Sequence, residues 1–122
     1  MTTPIGIQRI ERRLERFDGL IDMADYSNRP VDQIRAAFLS RALAAYCVKS
    51  LAGIDDAAAG QSVTDSFHDR GIDAIYFDAR GSRLLVVGSK WSDCFGWNDA
   101  GIFIEGVTHL IAPDLASFQN NA

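Results

Sequence analysis

The sequence predicts a single α/β domain, with helices packed on a small mixed or antiparallel sheet built around one central hairpin. Three features predict it. Apolar residues recur at helical spacing through the first half of the chain. Two short apolar strands flank a turn at residues 78–81. A further helical pattern follows before Pro113. With 122 residues, the chain suits one compact domain, divided into an N-terminal helix (1–27) and a core (30–112).

In the first helix, Ile7, Ile10, Leu14, Phe17 and Ile21 alternate steps of three and four and form one apolar stripe. Glu11, Arg12, Arg13, Glu15 and Arg16 occupy its other faces. The stripe is expected to pack on the core or to join two copies as a homodimer through residues 7–21. The arginines Arg9, Arg12, Arg13 and Arg16 are diluted by the two glutamates, so a solvated face is the default. Asn28-Arg29-Pro30 breaks the pattern, and Pro30 suits the first turn of a second helix, Val31 to Leu51. That helix is apolar almost all round and should be largely buried, its alanines permitting close approach of a sheet. Residues 53–60 read as a loop or short helical turn around Asp55 and Asp56.

The hairpin follows. Ile72 to Phe77 reads as one strand, Asp78-Ala79-Arg80-Gly81 as the turn, and Arg83 to Gly88 as the second strand. The unbroken run Leu84 to Val87 suits a central strand covered on both faces. Asn98 or Asp99 is expected to cap a third helix carrying Ile102, Ile104, Val107, Leu110 and Ile111.

Hydrophobic residues at 48% and charged residues at 23% exclude wholesale disorder. No apolar run approaches the roughly 20 residues that span a bilayer, and the N-terminus lacks a signal-peptide core. A cytoplasmic setting without membrane contact is expected. Cys47 lies in an apolar helical pattern and reads as a small buried hydrophobe. Cys47, Cys94, His68 and His109 show no paired spacing, which disfavours zinc. The net charge of −4 argues against a general, tight DNA binder, yet an acidic site that first takes up a cation remains compatible with phosphate chemistry.

The chemistry concentrates between Thr64 and Trp91. In an antiparallel hairpin turning near Arg80, the start of the first strand lies beside the end of the second, which brings Asp73 next to Gly88 and Lys90. A carboxylate, the Ser89 carbonyl and one further oxygen would hold Mg²⁺ (or Mn²⁺) there, with Lys90 orienting a water or offsetting developing charge.

Asp69-Arg70-Gly71-Ile72-Asp73-Ala74-Ile75 followed by Val86-Val87-Gly88-Ser89-Lys90-Trp91 resembles the PD-(D/E)XK nuclease superfamily. It looks most like the Mrr-like restriction endonucleases and the N-terminal region of abortive-infection phage-resistance (AIPR) proteins. The resemblance covers roughly Val31 to Ile111. It implies a restriction-endonuclease-like core and a Mg²⁺-dependent nuclease acting on nucleic acid, DNA above all, in bacterial defence. It makes Asp73 the metal-binding aspartate and Lys90 the catalytic lysine. Family members carry glutamate or glutamine where this chain has Gly88, and often an acid or amide on the first core helix, where Asp32 and Gln33 stand. Glycine removes a ligand; Glu105, Asp69 or Asp65 would have to replace it, or the domain no longer cleaves and serves binding or assembly. The family core also usually has one more strand, so the chain is expected to be a fragment or to complete its sheet with a partner.

Blander roles stand beside these. Asp65 and Asp69 read by default as solvated loop carboxylates, and Trp91 and Trp97 as packing against the hairpin edge rather than stacking on bases. His68 reads as a candidate proton carrier and His109 as structural.

Overall fold

The computed structural model describes residues 4–64, 72–90, 98 and 100–108. Within them the chain is mixed α/β, with helices α1 (Ile5–Leu14), α2 (Val31–Ala52), α3 (Asp56–Gln61) and α4 (100–108) and strands β1 (Ala74–Asp78) and β2 (Arg83–Val87). The strands pair antiparallel, with Ala74 opposite Val87 and Asp78 opposite Arg83.

α2 is the organising element. Leu39, Ala42 and Ala45 meet Leu14, Phe17, Ile21 and Ala59 in one apolar cluster, while Ala44 and Val48 meet Ala74 in another, with Tyr76 and Val87 against it. The alanines let backbone approach from both sides, as a helix without a broad polar face requires.

The first helix is shorter than its stripe suggests. α1 ends at Leu14, a 3-10 turn covers Glu15–Phe17, and Gly19 turns the chain at φ +80°. A straight helix would hold Phe17 and Ile21 along one line. The turn instead folds both onto α2, where Leu14, Phe17 and Ile21 are 1%, 0% and 7% exposed. The C-terminal half of the expected dimer stripe is thus spent inside its own chain, leaving Ile5, Ile7 and Ile10 exposed.

α2 runs one residue beyond its expected end and stops at Gly53, whose left-handed backbone (φ 68°) lets its N–H reach the Lys49 carbonyl. Arg80 and Arg83 of the hairpin donate to the carbonyls of Ala52 and Leu51 at 2.6 and 3.1 Å, placing cations at the negative end of the helix. The segment after Gly53 forms α3, capped by the Asp55 carboxylate, which accepts from the Ala58 N–H at 2.8 Å. Gly60 of α3 abuts the Leu20 carbonyl so closely that a Cβ there would stand 2.5 Å from the oxygen.

The hairpin turn falls one residue later than expected, at 79–82, with Ser82 at φ 50°. Asp78 stays in the ladder because the Arg83 guanidinium holds its carboxylate at 2.9 Å. That hydrogen bond holds the Asp78 carboxyl below its ordinary pKa. Nor is β2 covered on both faces among the described residues: Leu84 is 53% exposed and its partner Phe77 61%. Alternation decides this, since the face carrying Ala74 and Val87 packs on α2 and the other points away. β1 is the inner strand, with Val63 bridging Ala74 on the side away from β2.

Asn98 is itself helical and so is not the cap expected before α4, and Asp99 lies outside the described residues. Ile102 and Ile104 of its expected apolar stripe are exposed; Leu110 and Ile111 lie outside the described residues. Cys47 is a free thiol, half-buried, and burial pushes its pKa up.

Candidate functional site

Asp73 sits just before β1 and is held on three sides. Its N–H donates to the Val87 carbonyl at 2.7 Å, and its own carbonyl accepts from the Thr64 N–H at 2.9 Å. Its carboxylate Oδ2 accepts from the Ser89 N–H at 2.8 Å. Beyond the ladder, the carboxylate therefore does the work of a cross-strand backbone acceptor, tying the end of the second strand to the start of the first.

Ser89 is in turn clamped to α2. Its hydroxyl donates to the Ser40 carbonyl at 2.7 Å, and the Ser40 hydroxyl donates to the Ser89 carbonyl at 3.3 Å. One residue further on, Lys90 lines a cleft of about 410 Å³ together with Tyr26, Gln33, Ala36, Ala37 and Ser40. The hairpin end thus ties Ser89 both to Asp73 and to α2 and puts Lys90 in the cleft with Gln33, while Asp73 itself does not line that cleft.

The electrostatics are set by burial. Desolvation pushes the Asp73 carboxyl above its ordinary pKa, opposed by the Ser89 N–H and by the charge of Arg41. Arg41 is only 7% exposed and is already committed. Its guanidinium grips Asp25 through two bonds of 2.9 and 2.6 Å, donates to the Asp22 carbonyl at 2.9 Å and lies 5.1 Å from the centre of the Tyr26 ring. Its charge is largely spent on Asp25, which is consistent with burial outweighing it at Asp73.

The other expected site residues are dispersed. Glu105 is exposed on α4. Asp65, Asp69, His68, Trp91, Cys94, Trp97 and His109 lie outside the described residues. Asp32 is exposed in the first turn of α2 and does not line the Lys90 cleft, whereas Gln33 does.

Mg²⁺ keeps several waters and is typically held by one or two carboxylates plus substrate phosphate. Asp73 offers one carboxylate and Gly88 no side chain. The Ser89 carbonyl accepts from Ser40 but retains a second lone pair. Among the described residues no group of three or more His, Cys, Asp or Glu side chains is arranged to hold a metal. One carboxylate and one carbonyl are about the fewest protein donors with which Mg²⁺ is held, and water and a bound phosphate would have to supply the rest.

Ser40, Arg41 and Tyr26 are what sequence reasoning passed over. Their signal was present: a serine and an arginine interrupt the apolar run from Ala36 to Ala45, and a polar pair in a buried helix demands partners. No helix among the described residues is long and apolar enough to cross a membrane. Comparison with known proteins finds no family model, no curated protein and no solved structure that matches the chain.

Proposed function

We propose that the chain is a nuclease-like domain with a restriction-endonuclease-like core, acting on nucleic-acid phosphodiesters at the open end of the β1–β2 hairpin. DNA is the expected substrate and defence against foreign DNA the expected setting, as the resemblance to Mrr-like and AIPR proteins implies. The observation that carries this reading is the fixed carboxylate of Asp73. It is bonded to the Ser89 amide at 2.8 Å, next in the chain to a lysine that faces a cleft. Asp73 and the Ser89 carbonyl would hold Mg²⁺ or Mn²⁺, which when bound polarises a phosphoryl oxygen and acidifies a water. Lys90 places an ammonium beside the developing negative charge. Ser40 keeps the Ser89 peptide oriented, and Gln33 offers an amide to phosphate or water in the same cleft.

A second reading, an inactive nuclease-derived module for binding or assembly, is favoured by two observations. Gly88 supplies no ligand, and among the described residues no group of three or more His, Cys, Asp or Glu side chains is arranged to hold a metal. Cleavage of plasmid DNA with Mg²⁺ or Mn²⁺ decides between them. A live site cuts, and Lys90→Ala lowers the rate on the order of 10²–10³-fold, as loss of a charge-stabilising group does. A clean preparation that never cuts, but gains cutting with Gly88→Gln or Gly88→Glu, establishes the inactive module. Failure of both, with no metal binding in titration, sinks the nuclease lineage.

A further inference from the structure

We propose that the arginine face of α1 is a docking surface for the phosphate backbone of duplex nucleic acid. At about 100° per residue, Arg9, Arg12 and Arg13 fall within roughly 100° of arc on one side of the helix. All three are exposed and make no ion pair among the described residues. The glutamates that should dilute them are turned elsewhere, with Glu11 and Glu15 both facing Arg35 of α2 at 3.7 Å. The core stripe takes a third side, where Leu14 is buried. Arg16 extends the basic arc but is bonded to Asp56 at 3.1 Å, so three arginines carry the surface.

The net charge of −4 opposes binding at long range, but salt screens it beyond about 10 Å at 0.1 M and leaves the local arc of arginines to make the contact. A planar, always charged guanidinium suits phosphate, and an ordered row of them suits a backbone with regularly spaced phosphates. An anionic membrane is the other polyanion such a helix would meet. It fits less well: Ile5 and Ile7 lie on nearly opposite sides of α1, and Leu14 and Phe17 are sequestered in the core. Nucleic acid as the polyanion rests on the functional reading above; the surface itself does not.

The test is fluorescence anisotropy of the full chain with a labelled duplex of about 20 base pairs, in chelator, over about 20–200 mM salt. The wild type should bind with an affinity that falls linearly in log salt. The triple variant Arg9→Ala, Arg12→Ala, Arg13→Ala should lose about 2.7 from the magnitude of that slope, the share of three released counterions on B-form duplex. The triple lysine variant should keep most of the slope, which separates charge from any change of fold, and Arg12→Glu alone should lower it. An unchanged slope in the alanine variant overturns the proposal. So does a wild type that ignores duplex at the lowest salt, including one that sediments with phosphatidylserine vesicles instead. Cleavage is scored separately with Mg²⁺. Duplex binding through the arginines without cutting, even after Gly88→Glu, sinks only the hairpin reading. Cutting with an unaltered slope sinks only this one.

Discussion

The two sides of α2 are finished in opposite chemistry. Toward α1 the helix closes on Leu14 and Phe17, which are 1% and 0% exposed, with only the Arg35 contacts to Glu11 and Glu15 at its exposed edge. Toward the end of the hairpin, Ser40 meets Ser89 and Ser89 meets Asp73 through a chain of part-buried hydrogen bonds. A closed apolar contact gains free energy with every carbon buried, whereas each hydrogen bond of a satisfied polar chain adds only about 0.5–1.5 kcal/mol net and costs more than that when one partner is left alone. One helix thus separates a region that holds the fold from a region held ready for chemistry, and substitutions on the two sides should respond differently.

The largest effect belongs to the apolar side. Phe17→Ala removes the bulkiest fully buried side chain and should cost about 3–5 kcal/mol, enough to unfold much of a marginally stable domain. Urea denaturation measures it; a loss under about 1 kcal/mol would mean that Phe17 is not the core anchor described. Gly60→Ala comes next. Its new methyl would lie 2.5 Å from the Leu20 carbonyl oxygen, which is backbone and cannot swing aside, so a loss of about 1–3 kcal/mol is expected. A neutral result would show that α3 and the turn after α1 stand further apart in solution.

Gly60 also marks where the sequence is mute. Periodicity located α2 almost to the residue and put Leu14, Phe17 and Ile21 in one apolar stripe with Ile7 and Ile10, of which the first three are buried and the last two exposed. It overextended the first helix, since a stripe spaced by threes and fours does not reveal that Gly19 bends it. The pairing of Asp73 with the end of the second strand was legible, because a short turn fixes the register of a hairpin. The Ser40 clamp and the Arg41–Asp25 pair were not legible, being contacts between residues 49 and 16 positions apart that no local pattern encodes. The same holds for Glu11 and Glu15, whose turn toward Arg35 changes what the arginines of α1 can do.

The polar side should respond to substitution in the opposite sense. Burial raises the Asp73 pKa above the ordinary carboxylate value of 3.8, so its ionised form is disfavoured in the fold. A group raised in this way contributes stability that is complete below its unfolded pKa and is lost as pH climbs through its folded pKa. Asp73→Asn keeps an oxygen for the Ser89 N–H and has no charge to bury. At pH 7 it should melt higher than the wild type, with the gap closing as pH falls toward 3.8 and below. The same variant should lose whatever cleavage the wild type has. A variant that is less stable at pH 7 would mean that the carboxylate is better compensated than its burial indicates.

The smallest effect lies at the far end of the hairpin, away from Lys90. Ser82 holds φ at 50°, a left-handed conformation that a side chain makes costly and glycine adopts freely. Against this, glycine loses more backbone freedom on folding, which cancels part of the relief. Ser82→Gly should therefore raise stability by about 0.5 kcal/mol or less, visible as a small rise in the urea midpoint. Because the turn is braced through Arg80 and Arg83 to the end of α2 rather than to Ser40, neither metal response nor cleavage should change. A shift in either would mean that the hairpin transmits strain from turn to site, and that the separation along α2 is less complete than its contacts indicate.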